Sequence, residues 1–147
     1  MTERNDVISE ARRWIGTPYV HQASCIGAGT DCLGLIRGVW RALVGAEPEK
    51  VPFYTADWSE PNREEALLSA AFRWLVPKRI DSTDIGDVLI FRMQGNNVAK
   101  HMGIVADLSN NATFIHAYSN HSVVETSLSL PWARRVAGRF EFPMGDM

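Results

Sequence analysis

The fold is decided by the stretch from Thr30 to Gly45, TDCLGLIRGVWRALVG. Its apolar residues repeat at helical spacing and predict a helix from Asp31-Cys32 to Val44; they are Leu35, Ile36, Val39, Trp40 and Leu43. Gly45 follows as a C-terminal stop signal, and Thr30 or Asp31 is suited to cap the first turn. The helix therefore carries Cys32 in its first turn, directly after a glycine-bearing loop.

The composition of the chain is typical of one folded domain. Its 147 residues, 46% hydrophobic and 22% charged, suffice for a single domain spanning residues 1–147 and are too few for two ordinary ones. A net charge of −2 lacks the basic excess of nucleic-acid-binding proteins. No apolar run approaches the roughly 20 residues of a membrane-spanning helix, and the N-terminus lacks the apolar stretch of a signal peptide. We therefore expect synthesis in the cytoplasm and neither nucleic acid nor membrane as a partner.

Two further helices are predicted, one before and one after this stretch. The first runs from Glu3 to Ile15 and places apolar residues on one stripe: Val7, Ile8, Ala11, Trp14 and Ile15. The second runs from Asn62 to Val76, is ended by Pro77 and is expected to bury Ala66, Leu67, Ala70, Ala71, Trp74 and Leu75. The polar segment from Val20 to Thr30 is predicted to be an exposed loop.

The second half of the chain contains short β-branched or aromatic runs separated by turn residues, which predict strands. The runs are Val88–Met93, His101–Asp107, Thr113–Tyr118, Val123–Thr126 and Arg139–Phe142. Helices followed by strands favour an α+β domain with a largely antiparallel sheet.

Cys32 is the candidate nucleophile. Backbone N–H groups and the positive end of the helix dipole stabilise a thiolate at a helix N-terminus, so a lowered pKa is expected for this thiol. The alternative is a small buried apolar residue, since free cysteine is among the most buried residue types. Cys25 lies in the loop without the helix field, and the two cysteines form no CxxC pair that would indicate a redox or zinc site.

His101 and His116 are the candidate partners of this thiol. If the two strands form a hairpin centred on residues 109–110, His101 faces Tyr118 and His116 faces Gly103. The two histidines then lie diagonally on one face with Cβ atoms about 7–8 Å apart, and Gly103 leaves room for the ring. A slip of one residue would separate them, because it moves every side chain of a strand to the other face.

This arrangement suggests that His101 takes the thiol proton and that His116 orients His101 through its other ring nitrogen. Each histidine taken singly is also compatible with an ordinary half-buried or surface residue. A metal site formed by the two histidines with His121, and with Cys32 as a further ligand, lacks a close helical pair of ligands and any characteristic spacing.

Five motifs in order resemble the NlpC family of papain-like cell-wall cysteine peptidases. They are Gly16-Thr17-Pro18-Tyr19, Thr30-Asp31-Cys32-Leu33-Gly34-Leu35, Asp84-Ile85-Gly86-Asp87-Val88-Leu89, His101-Met102-Gly103-Ile104-Val105 and Phe114-Ile115-His116-Ala117. The resemblance implies the papain-like NlpC fold, with N-terminal helices packed on a five- to six-stranded sheet. Three segments are most similar to the branch associated with phage and gene-transfer-agent tails. They are residues 31–40, Ala99-Lys100-His101 and Trp132-Ala133-Arg134-Arg135.

The resemblance also implies roles for single residues. Cys32 matches the nucleophile, His101 the general base and His116 the orienting third residue, with no cofactor or metal. Tyr19 and Asp31 match substrate-binding positions, where the acidic residue suits the free amine of a stem peptide. Asp31 is equally suited to cap the helix.

Two other positions bear on this comparison. Asp87 is interpreted as a structural turn residue that accepts backbone N–H bonds. Leu33 departs from the family, because many members have a serine there.

The implied activity is hydrolysis of peptidoglycan stem peptides at a γ-D-glutamyl–diamino-acid bond. The implied partners are the stem peptides and tail proteins of a phage or gene transfer agent, whose particle would carry the protein to the periplasm and cell wall. Two alternatives remain at this point. One is a structural tail-assembly module with weak or dispensable activity, and the other is an amidase or acyltransferase on the same fold.

Overall fold

The structure is a computed structural model that describes residues 3–48, 66–79, 81–92, 99–118 and 121–143. Its helices are α1 (Arg4–Arg13), α2 (Cys32–Leu43), α3 (Ala66–Trp74) and the short α4 (Leu130–Ala133). The strands are β1 (Ser24–Cys25), β2 (Gly29–Thr30), β3 (Val76–Lys78), β4 (Val88–Arg92), β5 (Ala99–Asp107), β6 (Thr113–Ala117), β7 (Val123–Ser127) and β8 (Val136–Glu141).

Six of these strands form one antiparallel sheet in the order β3-β8-β4-β5-β6-β7, while β1 and β2 form a small separate hairpin. This confirms the predicted α+β class and the predicted sheet. The final strand, β8, begins at Val136, three residues before the start of the predicted strand Arg139–Phe142. Strand β3 was not predicted, and the strand prediction at Met93 lies outside the described residues.

Alternation along the strands gives the sheet two different faces. One face packs against α1, α2 and α3 and contains the main core, to which β5 contributes Met102, Ile104 and Ala106. The other face contains a smaller cluster that is partly covered by Leu128, Trp132 and Val136; its buried members are Leu89, Phe91, Val105 and Phe114. The strand residues between those of the main core therefore point toward this second face.

The helices bury most of the predicted stripes. Helix α1 buries its stripe up to Trp14, but Ile15 is exposed because the helix ends at Arg13. Helix α3 buries Leu67 and Ala71, whereas Trp74 is exposed, contrary to the prediction. The predicted start at Asn62 lies outside the described residues.

Pro77 does not simply end α3 but lies within β3. Among the described strands, β3 lies at the edge of the sheet and pairs with β8 alone. A proline is tolerated there because one side of an edge strand makes no ladder hydrogen bonds.

The segment from Val20 to Thr30 is only partly the exposed loop that was predicted. Gly29 and Thr30 are buried, and Thr30 pairs with Tyr19 in an isolated parallel bridge. The carbonyl of Ala23 accepts the backbone N–H of Asp31 at 3.3 Å. These bonds fold the segment back against the start of α2.

Asp87 is a fully buried carboxylate near the start of β4. It accepts the backbone N–H of Asp84 at 2.8 Å, which confirms its predicted turn role. It also pairs with Lys78 at 2.8 Å and with Arg4 at 3.0 Å. Because a buried charge needs such partners, Asp87 ties α1 to two strands of the sheet. Within the described part of the chain, no helix has the length and apolar character needed to cross a membrane.

Candidate active site

Cys32 is the first residue of α2 and its side chain is buried. The backbone N–H groups of Met102, of Leu33 and of Cys32 itself point at the sulfur. Because Met102 directly follows His101 on β5, the contact brings the thiol to the strand that carries the histidine.

The environment of Cys32 does not favour a resting thiolate. Burial, together with the negative charge of Asp31, raises the pKa of the Cys32 thiol to about 12, although the three N–H groups act in the opposite direction. The lowered pKa expected from the helix N-terminus is therefore wrong, because desolvation outweighs the helix field at a buried position.

The structure brings His101 and His116 together. Strands β5 and β6 pair with Ile104 opposite Ile115, the same register as the predicted hairpin. The Nε2 atom of His101 lies 2.8 Å from Nδ1 of His116. The predicted histidine pair is confirmed, and the nitrogen of His101 that faces away from this contact is Nδ1.

The hydrogen-bonded chain continues beyond the pair. The Nε2 atom of His116 lies 3.0 Å from the hydroxyl oxygen of Thr126 on β7. Burial, together with the neighbouring His116, lowers the pKa of His101 to about 3. Burial and His121 lower the pKa of His116 to about 4, so both rings are neutral at physiological pH.

Gly103 makes room for the ring of Phe114, whereas the sequence pattern predicts that it makes room for the ring of His116. A Cβ atom at this position would meet the ring of Phe114 at 2.6 Å and the carbonyl oxygen of Ile115 at 3.2 Å. Phe114 in turn stacks on His116, with ring centroids 4.2 Å apart. Gly103 therefore admits the ring on which His116 rests.

Trp132 on α4 lies at the histidine pair, whereas in the sequence it stands out only as part of the segment that resembles the tail-associated branch. Its ring lies over both histidines, with centroid distances of 5.5 Å to His101 and 5.2 Å to His116. It also contacts the rings of Phe91, Phe114 and Tyr118. A helix of four residues is too short to show helical periodicity, so the pattern of the sequence carried no signal for this contact.

Asp31 caps α2 and also holds the preceding loop. One carboxylate oxygen accepts the backbone N–H of Gly34 and the other accepts that of Gln22, each at 2.7 Å. Gln22 has a positive φ of 66°, an unusual conformation for a residue with a side chain. Nδ1 of His21 lies 3.8 Å from the second oxygen. The capping role of Asp31 is confirmed, while its role toward an amine stays a prediction.

Tyr19 lies within electrostatic range of both Cys32 and Asp31. Burial raises the pKa of its phenol to about 12, with contributions from these two neighbours. Cys25, by contrast, is exposed. Among the described residues, no group of three or more His, Cys, Asp or Glu side chains is arranged to hold a metal ion.

A buried thiol at a helix N-terminus and a neutral, hydrogen-bonded imidazole on the strand that contacts the thiol are the groups that nucleophilic acyl transfer requires. In reactions of that class an imidazole accepts the thiol proton as the sulfur attacks, and a third polar group holds the imidazole in a fixed orientation. Burial raises the pKa of the Cys32 thiol and lowers the pKa of His101, so it disfavours the charged form of each group.

The fold that presents these residues is the papain-like fold of NlpC/P60 domains. The chain matches the whole NlpC/p60 domain of the peptidoglycan hydrolase SagA over 96% of its own length, with a TM-score of 0.64 and 22% identity. An NlpC/P60 family protein from Bacillus cereus ATCC 10987 matches with a TM-score of 0.65 and 20% identity, over 96% of this chain and 40% of that protein.

A curated relative is similar in sequence. The chain is 27% identical over 135 residues to the γ-DL-glutamyl hydrolase of Bacillus subtilis (strain 168). The matched region is 90% of this chain and 28% of the relative, so the chain spans little more than a quarter of that protein. No protein-family model matches the chain.

Proposed function

We propose that the protein is a peptidoglycan hydrolase of the NlpC/P60 type, with Cys32 as nucleophile, His101 as general base and His116 as its orienting partner. The observation that carries the proposal is the hydrogen bond between His101 and His116, with His101 on β5, the strand whose Met102 contacts Cys32. A buried imidazole that a second histidine orients is suited to act as the base for a thiol at a helix N-terminus.

The reaction starts from a neutral thiol and a neutral imidazole. As a peptide carbonyl binds, Nδ1 of His101 accepts the proton of Cys32 and the sulfur attacks the carbonyl carbon. The carbonyl oxygen becomes an oxyanion, for which the N–H groups of Cys32 and Leu33 are the available donors, because that of Gly34 is bonded to Asp31.

The tetrahedral intermediate then collapses. The C–N bond breaks as the imidazolium of His101 donates its proton to the leaving amine, which leaves a thioester on Cys32. A water molecule, deprotonated by His101, attacks the thioester, and the acid product leaves as the proton returns to the thiol.

The proposed bond joins the γ-carboxyl of a D-glutamyl residue to a diamino acid. The name of the Bacillus subtilis relative denotes hydrolysis of a γ-DL-glutamyl bond, which is the same kind of linkage. Tyr19 and Asp31 are proposed to contact the substrate, because both lie beside Cys32.

Digestion followed by mass spectrometry tests this function. Purified protein is incubated with free stem peptides, with intact wall sacculi and with poly-γ-glutamate, and Cys32→Ala is the control. We expect new fragments that end in γ-D-glutamate, and none with Cys32→Ala. Cleavage between the glycan and the stem would instead indicate an amidase, and complete inactivity would favour the structural module.

We further propose that a phage or gene-transfer-agent tail carries the protein to the cell wall. The support is the similarity of the Trp132–Arg135 segment to the tail-associated branch. Mass spectrometry of purified particles tests this location, and absence of the protein from them would contradict it.

A further inference from the structure

We propose that Thr126 is a positioning residue that selects the protonation direction of the histidine pair. Its catalytic consequence rests on the proposed function, whereas its effect on the histidine tautomers does not. The starting observation is the continuous chain of contacts from His101 to His116, 2.8 Å, and from His116 to Thr126, 3.0 Å.

The hydrogen bonds that link His101, His116 and Thr126 can run in two directions, depending on which nitrogen of each ring carries the proton. In the first, His101 donates from Nε2 to His116, and His116 donates from its own Nε2 to the hydroxyl oxygen of Thr126. Nδ1 of His101 is then unprotonated and can accept the thiol proton. In the second, all these protons are reversed, Nδ1 of His101 carries hydrogen, and the ring cannot act as a base toward Cys32.

Thr126 decides between these directions because the first requires an acceptor beyond His116. Without the hydroxyl, the Nε2–H of His116 would be a donor without this acceptor in a partly buried site, and buried N–H groups without a partner are rarer in proteins than under-satisfied acceptors. The second direction would leave only an unprotonated nitrogen there. Loss of the hydroxyl therefore shifts the pair toward the tautomer that does not serve catalysis.

The register of the sheet holds the hydroxyl in place. Thr126 lies opposite Phe114, and His116 lies opposite Val124, so Thr126 and His116 are diagonal neighbours on one face. Phe114 stacks on the ring of His116 at 4.2 Å and limits its rotation. The contact is thus built from strand pairing and ring packing.

The test compares Thr126→Val, which removes the hydroxyl but keeps the shape, with Thr126→Ser, which keeps the hydroxyl. Thr113→Val is the matched control, since Thr113 on the neighbouring strand bonds to Glu125 instead of a histidine. Nitrogen-15 NMR of the histidine rings reports which nitrogen carries the proton in each variant, with assignment by His→Asn substitutions. Steady-state kinetics on stem peptides gives kcat and KM.

We expect Thr126→Val to move the proton of His116 away from Nε2 and to lower kcat about threefold to tenfold with little change in KM. Thr126→Ser is expected to restore both, and Thr113→Val to change neither. If the tautomer of His116 is the same in Thr126→Val as in the parent protein, the proposal is wrong.

The two readouts separate the inference from the proposed function. A tautomer shift in a protein that cleaves none of the offered substrates would support the role of Thr126 and contradict the assigned reaction. Thr126→Ala provides a second variant if the valine perturbs the strand, with folding checked by circular dichroism.

Discussion

Nε2 of His101 and Nδ1 of His116 lie 2.8 Å apart, although the residues are 15 positions apart in the chain. The antiparallel pairing of β5 and β6 produces this contact, because it places the two residues diagonally on one face of the sheet. Trp132 covers them on that face, and Met102 connects the same strand to Cys32. Both histidines are therefore buried.

Only one of the two cysteines should be needed for turnover. Cys32→Ala is expected to lower kcat/KM at least about a thousandfold, because nucleophile and base act as one unit. Cys25→Ser should be unaffected, since Cys25 is exposed and lies outside the site. Stem-peptide cleavage measures both, and a large loss in Cys25→Ser would contradict the assignment of Cys32.

Cys25, which is not needed for turnover, should be alkylated faster than Cys32. Burial and a pKa raised to about 12 make Cys32 a poor target for iodoacetamide near pH 7. Exposed Cys25 should therefore be modified first, as followed by peptide mass spectrometry. Faster modification of Cys32 would indicate a resting thiolate and would refute the neutral pair.

The histidines should differ in how far they can be replaced. His101→Ala is expected to lower kcat by about 10²–10⁴, the range for loss of a general base. His116→Asn should cost less than His116→Ala, because an amide oxygen can still accept the hydrogen bond from His101. Equal losses in the two His116 variants would show that the hydrogen bond is not what matters. His121→Ala is the control, and a larger loss there would identify a different third residue.

The free energy of unfolding should fall as the pH is lowered through the range in which histidines of the unfolded chain take up protons. The pKa values of His101 and His116 are lowered to about 3 and about 4, so the unfolded chain binds protons that the folded chain does not. Their stabilisation is fully present above about pH 6.5 and is lost as the pH falls toward these lower values.

Urea unfolding at pH 7.5 and pH 5 measures this loss, which we expect to be about 2 kcal/mol or more for the pair. The double variant His101→Gln with His116→Gln should lose most of the dependence. His21→Gln, at an exposed histidine, should retain it. An unchanged dependence in the double variant would mean that the buried histidines do not cause it.

Asp31→Asn should destabilise the fold more than a simple cap replacement. If Asp31 only capped the helix, the change would be below roughly 1 kcal/mol, since asparagine caps helices well. Both oxygens of Asp31, however, accept backbone N–H groups, from Gln22 and Gly34. An amide has only one oxygen, so its NH2 group would face one of these backbone N–H groups. The lost hydrogen bond would lower the free energy of unfolding by about 1–3 kcal/mol. Urea denaturation measures this, and a change within about 0.5 kcal/mol would contradict the double bonding.

The proposed amine recognition by Asp31 has a separate test. Wild-type protein should cleave stems with a free N-terminal L-alanine faster than stems still attached to glycan. Equal rates would rule out recognition of the amine and favour action on the intact wall.

Trp132→Ala should admit water to the histidine pair. The pKa of His101 and His116 should then rise toward 6.5, since desolvation is the main cause of their low values. Loss of packing should lower the free energy of unfolding by about 1–3 kcal/mol. NMR titration of the rings and urea unfolding measure these changes. Trp74→Ala, at an exposed tryptophan on α3, is the control; an equal effect there would contradict a local role for Trp132.

The sequence predicted elements that depend on near neighbours. The apolar spacing after Cys32, the N-cap at Asp31 and the alternation of the strands are local patterns, and each has the expected counterpart in the structure. The pairing of His101 with His116 was within reach because one short loop sets the register of the hairpin.

The limits of sequence prediction appear where several elements meet. Strand β3 has only three residues and contains a proline, so its sequence shows no strand pattern. Its pairing with β8 could therefore not be predicted. The contacts of Thr126 and Trp132 with His116 likewise depend on segments that follow the hairpin and fold back onto one face of the sheet.

The sequence by itself determined which residues stand at the start of α2 and on one face of β5 and β6, because helix and strand periodicity are properties of neighbouring residues. Only the tertiary structure decided that the thiol is buried and its pKa raised, that both oxygens of Asp31 are occupied, and that Trp132 covers the histidines. Burial and charge pairing depend on distant segments packing together, and these determine pKa more strongly than position on a helix does.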